Sequence, residues 1–552
     1  MEKIKRLKKL LLKHGLDGYI VPKNDEFFGE YTEESKDKLK YISEFSGSFG
    51  LALILKNKNY LFVDGRYSIQ AKMQSGKFFK IVVMPNKLPS NILGRKKLKI
   101  GYDPKLHTSN NLRVFFKKTE CELFPIKLNL VDKIWVKKNK SSLKKFYVLP
   151  KNAVGQNYNY KINKLINILK SKKIDLHFIT ASENIAWLLN IRGRDSNFSP
   201  VPNSYLTLSV DGKITLFCDL EKIDKIFIKK LRDIRIVNIK EISLFLSQIK
   251  NKKILIDSSS CSVYFENILN RKNKLVQFLD PIYPLKSIKT NKEIKNIIKS
   301  HIYDGAALTK FLIWLKKNYI KLNINEISAQ KKLLGFRKKN KYFKFSSFPS
   351  ISATGPNGAI IHYRATKETN RKLKRGDIYL IDSGGQYNFG TTDVTRTVSL
   401  ENRNQKIKDI FTRVLKGHIA VASYKLKNNT NGAQIDNLAR KFLKNINLDY
   451  AHGTGHGVGY FLNVHEGPQA FSKKNSEKLR EGMILSNEPG YYKNGKFGIR
   501  IENLIRIRKF KNSKVFENLT MAPIDKNLIN RDILKKNEID WLNNYHKKVF
   551  IN

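Results

Sequence analysis

Residues 377–397, DIYLIDSGGQYNFGTTDVTRT, indicate how the C-terminal half of the chain is built. An apolar run ends in the carboxylate of Asp382, turns through two glycines and returns in a Thr- and Val-rich stretch that carries Asp393. Two such runs joined by a polar link predict adjacent strands of a hairpin. The two carboxylates would then lie close enough to share a cation, although two aspartates that only shape turns would give the same pattern.

A second pair of acidic residues follows the same plan. In GMILSNEPG (482–490) an apolar run ends at Glu488, and in GIRIEN (498–503) a returning strand carries Glu502 on the face that it shares with Arg500. A glutamate flanked by apolar strand residues is costly to bury unless a cation neutralises it. This region therefore also predicts carboxylates beside a cation.

Histidines in glycine- or turn-flanked motifs accompany these carboxylates. His452 and His456 lie in AHGTGHGVG (451–459), where alternating glycines let the backbone come close to a site. A phosphate-binding glycine loop would need a following Gly-Lys-Ser/Thr, which is missing. His465 lies in the motif NVHEGP and His362 follows the run GPNGAII.

Two Asp, one His and two Glu on short β segments form a hard, oxygen-rich ligand set. Such a set suits two divalent ions such as Mn²⁺ or Co²⁺ better than a structural zinc, which prefers thiolates and imidazoles. Five ligands for two ions require bridging carboxylates and leave room for a bridging water. Two ions about 3.5 Å apart would lower the pKa of that water and polarise a substrate carbonyl.

The N-terminal half repeats one α/β pattern. A helix and an apolar strand at 18–21 precede a hairpin over 51–64, and a second helix and strand at 176–179 precede a hairpin over 205–219. An offset of 155 residues places Leu61, Phe62 and Asp64 on Leu216, Phe217 and Asp219. The pattern indicates duplicated domains, although a chance match of two ordinary hairpins would look the same.

The length of 552 residues suggests about three domains. We predict α/β domains over 1–137 and 143–284 and a catalytic domain over 286–552, which opens with a helix over 292–317 and ends with a helix over 533–549. No run approaches the roughly 20 apolar residues of a membrane span, and the basic amphipathic N-terminus has no secretory h-region. Three separated cysteines support neither a disulfide framework nor a zinc ribbon.

The net charge of +58 allows two interpretations. It could indicate a nucleic-acid or anionic-membrane partner. However, lysine is scattered along the whole chain, and the basic runs at 137–140 and 337–341 are typical of solvated loops. We therefore favour compositional drift and expect no specific nucleic-acid or membrane partner.

In this order, the motifs resemble the aminopeptidase P (Xaa-Pro aminopeptidase) family, in its three-domain long form, of the M24 pita-bread metallopeptidases. The similarity is sharpest over 352–363, 380–397, 452–468 and 487–502. It implies an α/β (α+β) protein with two related creatinase-N-like domains followed by a pita-bread catalytic domain. It also implies a cytoplasmic homodimer.

The resemblance assigns roles to individual residues. It implies that two divalent ions, Mn²⁺ before Co²⁺ or Zn²⁺, are bound by Asp382, Asp393, His456, Glu488 and Glu502, with Asp393 and Glu502 bridging. His362, His452 and His465 would surround the substrate and stabilise the tetrahedral intermediate, His362 and His465 also binding substrate. Arg66 would bind peptide, and Glu488 would act as general base.

The implied reaction is attack of a bridging hydroxide on the carbonyl of the first residue of a peptide that has proline in second position. The alternatives are a proline dipeptidase, a non-catalytic pita-bread binding protein and a creatinase-like amidinohydrolase. The chain length argues against the first and the third, and the complete ligand set argues against the second.

Overall fold

The computed structural model describes residues 2–136 and 144–552, and these form two compact units. One unit contains the chain up to Leu149 together with Gln156–Tyr283, and the other contains Pro150–Gly155 together with Pro284–Asn552. The basic run at 137–140 and the predicted domain limits at 137 and 143 lie outside the described residues. The division into three domains stays a prediction.

The N-terminal unit contains two six-stranded sheets with the same topology. The first sheet has the strand order β4-β3-β2-β1-β5-β6 and the second has the order β12-β11-β10-β8-β13-β14. The strands of this unit are β1 (Gly18–Pro22), β2 (Leu51–Leu55), β3 (Asn59–Asp64), β4 (Lys80–Met84), β5 (Lys99–Tyr102), β6 (Glu122–Pro125), β7 (Tyr147–Val148), β8 (Leu176–Ile179), β9 (Ile191–Arg192), β10 (Ser204–Ser209), β11 (Ile214–Cys218), β12 (Arg235–Asn238), β13 (Lys253–Ile256) and β14 (Lys274–Gln277).

Strand pairing confirms that the two sheets are related. In the first sheet the pairs β1–β2 and β2–β3 are antiparallel and β3–β4 is parallel. In the second sheet the corresponding pairs β8–β10 and β10–β11 are antiparallel and β11–β12 is parallel. Leu61 pairs with Ile81 in the first sheet and Leu216 pairs with Ile236 in the second, so the offset of 155 residues extends into the next strand. This agreement in pairing and offset argues against a chance match of two hairpins.

Helices cover the faces of both sheets. The amphipathic N-terminal helix buries Ile4, Leu7 and Leu11 against the first sheet, as its spacing predicts, and Gly15 follows its end with a φ of +61°. The helices are α1 (Glu2–Lys13), α2 (Lys38–Ser43), α3 (Ser68–Ser75), α4 (Pro89–Leu93), α5 (Ser109–Phe115), α6 (Tyr158–Ser171), α7 (Ser182–Leu188), α8 (Lys225–Lys230), α9 (Ile242–Gln248), α10 (Val263–Asn270) and α11 (Ile282–Ser287).

The C-terminal unit is built mainly from antiparallel strands. Its strands are β15 (Phe343–Ser346), β16 (Ile351–Thr354), β17 (Ile378–Ser383), β18 (Gly385–Tyr387), β19 (Gly390–Thr391), β20 (Val394–Ser399), β21 (Lys425–Leu426), β22 (Gly455–Gly457), β23 (Glu466–Phe471), β24 (Ile484–Asn487), β25 (Gly490–Lys493), β26 (Phe497–Arg500), β27 (Asn503–Phe510) and β28 (Ser513–Asn518). They form sheets in the orders β15-β18-β19, β16-β17-β20, β21-β28-β27-β24-β22-β23 and β25-β26.

Long helices pack against these sheets. They are α12 (Asn291–Asn318), α13 (Glu326–Lys338), α14 (Gln405–Ala422), α15 (Gly432–Lys444) and α16 (Lys536–Ile551). A capping box between Thr290 and Glu293 starts α12, so the predicted helix over 292–317 is confirmed. The predicted terminal helix is also present, but it begins at Lys536. Among the described residues, no helix is both long and apolar enough to cross a bilayer.

The prediction that residues 337–341 form a solvated loop is wrong for the first two residues. Arg337 and Lys338 belong to the last turn of α13. Arg337 is buried because its guanidinium donates to both carboxylate oxygens of Asp304 on α12, at 2.7 and 3.0 Å. A basic run in the sequence does not reveal such a partner, which lies 33 residues away.

Candidate metal centre

The two candidate aspartates lie on, or directly before, two neighbouring strands. Asp382 is near the end of β17 and stands opposite Thr395 of β20, and Asp393 directly precedes β20. The adjacency predicted from the sequence is therefore confirmed. The connection differs from a single tight turn, since β18 and β19 form between the two aspartates and pair with each other.

Each of the two candidate glutamates lies in a break between two consecutive strands. Glu488 follows β24 directly, and Glu502 lies between β26 and β27, where a continuous strand is predicted. The strand breaks at this point because Glu502 forms hydrogen bonds with Thr395 of β20. Its N–H donates to Thr395 O at 3.1 Å, and Thr395 Oγ1 donates to Glu502 Oε2 at 2.7 Å. The break brings Glu502 to the strand that follows Asp393.

Glycine allows the His456 strand to approach the Glu488 strand. A Cβ on Gly455 would lie 2.0 Å from Ser486 O, so a larger residue could not occupy this position without a shift. The N–H of His456 donates to Ser486 Oγ at 2.9 Å, and that hydroxyl donates to Glu488 Oε1 at 3.1 Å. The imidazole Nδ1–H donates to Gly457 O at 2.9 Å, which leaves Nε2 for the centre.

Ligand atoms from three distant segments converge. One ligand atom from each of Asp393, His456 and Glu502 lies within 4.8 Å of the other two. His456 Nε2 is 3.5 Å from Asp393 Oδ2 and 3.5 Å from Glu488 Oε1. Arg500 holds Asp382 in place, because its Nη2 donates to Asp382 Oδ2 at 2.6 Å. Asp382 Oδ1 is buried and has no hydrogen-bond partner among the described residues.

The pKa values reflect the concentration of negative charge. Burial, followed by repulsion from Asp393 and Glu488, raises the pKa of Asp382 to about 7 even though Arg500 opposes the shift. Burial and the neighbouring carboxylates raise the pKa of Glu502 well above its usual range. Burial alone would raise the pKa of Glu488, but the charges of His456 and Arg500 lower it.

The pKa of His456 is raised, although burial by itself would lower it. Burial favours the neutral imidazole, but the hydrogen bond to Asp393 and the charges of Glu488 and Asp393 outweigh it and raise its pKa to about 9. A proton on His456 thus stabilises the carboxylates in the place of a cation. An unpartnered carboxylate oxygen, clustered carboxylates and an imidazole nitrogen are the donor set of divalent ions such as Mn²⁺. The residues present fit the predicted metal site.

Two further predicted site histidines, His465 and His452, lie beside this centre. The ring of His465 is exposed, and its centroid is 4.2 Å from that of His456. His452 is bonded on both sides, by Gly453 O at Nδ1 (2.7 Å) and by Tyr492 Oη at Nε2 (2.9 Å). Burial lowers the pKa of His452 to about 4, so its imidazole is neutral near pH 7.

His362 lies in a turn that follows Gly358, and the backbone of Gly358 packs closely against Gly498 of β26. A Cβ on Gly498 would lie 1.7 Å from Gly358 O, so only glycine permits this contact. The next residue, Tyr363, is buried and its hydroxyl donates to Glu326 at 2.8 Å. His362 itself is half-buried.

Arg66 belongs to the N-terminal unit. It follows β3, and its guanidinium donates to both carboxylate oxygens of Asp64, at 3.0 and 2.6 Å. Its predicted role in peptide binding stays a prediction.

Two residues that were not predicted as site residues complete the surroundings of the centre. Arg500 was predicted only to lie on a strand face, and Tyr492 was not predicted at all. Arg500 joins Asp382 to Tyr492, whose hydroxyl accepts from Arg500 Nη1 at 2.6 Å and contacts His452. The apolar alternation around Arg500 could have drawn attention to a buried charge, but its partner is 118 residues away.

Family models match almost the whole chain. Residues 295–509 match Metallopeptidase family M24, and 514–552 match the C-terminal region of that peptidase family. Residues 3–133 and 137–293 each match a Creatinase/Prolidase N-terminal domain.

Individual proteins match from end to end. The probable Xaa-Pro aminopeptidase P of Laccaria bicolor is 36% identical over 590 residues, which cover 100% of this chain and 90% of that protein. Xaa-Pro aminopeptidase 1 of Dictyostelium discoideum is 37% identical and covers 99% of this chain and 92% of its own length. The X-prolyl aminopeptidase of Caenorhabditis elegans, a cytosolic enzyme with a di-nuclear active site, superimposes with a TM-score of 0.93 at 30% identity, covering 99% of this chain and 95% of its own.

Proposed function

Since the chain belongs to the Xaa-Pro aminopeptidase family of M24 metallopeptidases, we propose that it removes the N-terminal residue from peptides whose second residue is proline. The observation that carries this proposal is the convergence of Asp393, His456 and Glu502 within 4.8 Å. These residues come from three separate segments of a chain that aligns along its length with Xaa-Pro aminopeptidases. The reaction is therefore a metal-dependent hydrolysis.

Asp382, Asp393, His456, Glu488 and Glu502 would hold two divalent ions, for which we propose Mn²⁺. Asp393 and Glu502 would be the carboxylates shared between the ions, as the family resemblance implies, and both belong to the group whose ligand atoms lie within 4.8 Å of one another. When bound, such ions supply a water of lowered pKa and a Lewis acid for the substrate carbonyl.

The side chains of the protein supply proton transfer and orientation. Glu488 keeps a lowered pKa next to His456, so it is an ionised carboxylate that can accept a proton from the attacking water. We propose that His465, whose ring is exposed, and His362, which is half-buried, would donate to a substrate oxygen as it gains negative charge. His452 has both ring nitrogens engaged, so it would act on the substrate through Tyr492 or after a change of partner.

The substrate and setting follow from the relatives. The names of the relatives specify cleavage before proline, whose imide nitrogen has no N–H to be recognised in the peptide. The C. elegans enzyme is cytosolic, and we propose the same compartment for this chain. We propose a homodimer on the basis of the family resemblance.

Hydrolysis of defined peptides tests the proposal. The purified chain is stripped with a chelator, divided into metal-free and Mn²⁺-loaded samples, and incubated with Xaa-Pro-Yaa-Zaa and Xaa-Pro peptides. We expect the loaded sample to release the first residue from the longer peptide and the metal-free sample to be inactive. Equal inactivity of both samples would refute the enzyme assignment, and cleavage confined to the dipeptide would indicate a proline dipeptidase.

A further inference from the structure

A buried ion pair on α15 lies behind the segment that carries the two glycine-flanked histidines. Arg440 Nε and Nη2 donate to Asp436 Oδ2 and Oδ1 at 2.8 and 3.0 Å. The Asp436 and Arg440 side chains are 0% and 2% exposed. Burying two charges is unfavourable unless attraction and hydrogen bonds compensate, so the further hydrogen-bond partners of this pair show what the pair holds in place.

The guanidinium uses every donor it has inside the chain. Besides its two bonds to Asp436, Arg440 donates through Nη1 to Asp449 Oδ1 and to Tyr450 O, both at 2.7 Å. Nη2 also donates to His452 O at 2.5 Å. An arginine has five N–H donors, and these five bonds occupy them all. Arg440 therefore has no donor left for a substrate or a water, and it can act only through the segment that it holds.

Asp436 extends the same network toward the candidate ligands. Its Oδ1 accepts from Thr454 N at 3.1 Å and from Thr454 Oγ1 at 2.7 Å. Thr454 O in turn accepts from the N–H of Glu488 at 2.8 Å. His456 is two residues beyond Thr454. One helix thus fixes the backbone next to an imidazole and a carboxylate that belong to different strands.

We propose that Asp436 and Arg440 are positioning residues that set the placement of His456 relative to Glu488. The glycines at 453 and 455 give this segment little conformational restriction of its own, so the ion pair supplies the restriction. The inference rests on the proposed function, because it concerns the same metal site. Loss of an outer-shell partner typically weakens metal binding by about 10- to 100-fold.

Replacing Arg440 with lysine tests whether the planar guanidinium, and not only its charge, is needed. Lysine keeps the positive charge but has three donors that cannot match the planar geometry of five. We expect Arg440→Lys to raise the dissociation constant for Mn²⁺ by about 10- to 100-fold. The measurement is calorimetric titration of the full-length, metal-free chain with Mn²⁺.

A matched control separates positioning from general stability. Arg337→Lys disrupts an equally buried, bidentate pair with Asp304 in the same unit, and neither member of that pair hydrogen-bonds residues 449–456 or Glu488. It should lower the unfolding temperature and leave the Mn²⁺ dissociation constant unchanged. Equal weakening by Arg337→Lys and Arg440→Lys would overturn the positioning role.

A milder variant keeps the proposal testable if Arg440→Lys does not fold. Thr454→Val removes the hydroxyl donor to Asp436 while keeping the side-chain shape, and it should weaken Mn²⁺ binding by less than Arg440→Lys does. Wild-type affinity in every folded variant of Arg440 and Thr454 would overturn the inference alone. A wild-type chain that binds no Mn²⁺ would instead refute the proposed function, and the positioning role with it.

Discussion

The pKa values of two histidines, the fully buried His177 in one unit and the half-buried His456 in the other, shift in opposite directions. His177 on β8 is fully buried, and burial lowers its pKa to about 3. The nearest carboxylate oxygen, Asp280 Oδ1, lies 3.7 Å from its Nε2, and neither ring nitrogen has a hydrogen-bond partner among the described residues. In His456, bonding to Asp393 and the charge of Glu488 outweigh burial and raise the pKa to about 9.

The difference separates a packing role from a ligand role. A buried imidazole without a strong acceptor is most stable when neutral, while one surrounded by carboxylates holds a proton or a cation. Burial by itself therefore does not identify a functional histidine. The number of neighbouring carboxylates is the better indicator. Of the two histidines compared, His456 has two carboxylates close to its ring and His177 has one.

The largest expected effect comes from removing a carboxylate from the centre. Asp393→Asn should lower Mn²⁺ affinity by more than about 100-fold, since even outer-shell changes reach that range, and peptide hydrolysis should be lost with it. Metal content and first-residue release are measured on the same preparation.

Asp257→Asn in the N-terminal unit is the control for this change. Asp257 and Asp393 are equally buried, each 4% exposed. The Asp257→Asn protein should keep its full metal content per folded chain. Retained turnover in Asp393→Asn would contradict the assignment of Asp393 as a shared ligand.

A smaller effect is expected on the stability of the metal-free protein. His456 has a pKa of about 9 when folded against about 6.5 when unfolded, so its proton stabilises the fold below pH 6.5 and this contribution is lost as the pH rises through 9. The contribution amounts to about 3 kcal/mol at most. The stability difference between wild type and His456→Gln should shrink accordingly between pH 6 and pH 9.5 in guanidinium unfolding.

Metal should abolish this pH dependence. Binding of Mn²⁺ requires the neutral imidazole and releases the proton, so at saturating Mn²⁺ the pH-dependent proton contribution should disappear. A pH-independent difference in the metal-free protein would show that His456 is not protonated among the carboxylates.

The smallest effect is expected at His177, with the opposite sign. Its folded pKa of about 3 is below the unfolded value, so its neutral form stabilises the fold above pH 6.5 and this contribution is lost as the pH falls. Between pH 7 and pH 5 the wild type should lose about 2 kcal/mol relative to His177→Gln. Added Mn²⁺ should not change this loss. A loss that depends on metal would place His177 in a metal site and break the comparison.

Several elements were predictable because their signals are local. The capping box before α12, the hairpins β2–β3 and β10–β11 and the apolar runs ending at Asp382 and Glu488 depend on residues close together in sequence. Turn and cap preferences act over a few residues, so the chain carries them wherever it folds.

Long-range partners were not predictable. The break in the strand at Glu502 depends on Thr395, which is 107 residues away, and the burial of Asp382 beside Arg500 joins residues 118 apart. No periodicity encodes such a pair, because hydrogen-bond partners across a fold are chosen by packing and not by spacing.

The sequence by itself determined which side chains could bind a metal and that short strands would present them, since residue type and alternation are properties of each segment. Only the tertiary structure decided that Asp393, His456 and Glu502 meet within 4.8 Å, and that Asp436 and Arg440 support the histidine segment from behind. The physical reason is that convergence requires strands from distant segments to pack at one place. The like charges there are offset by groups from other segments, Arg500 beside Asp382 and His456 beside Asp393.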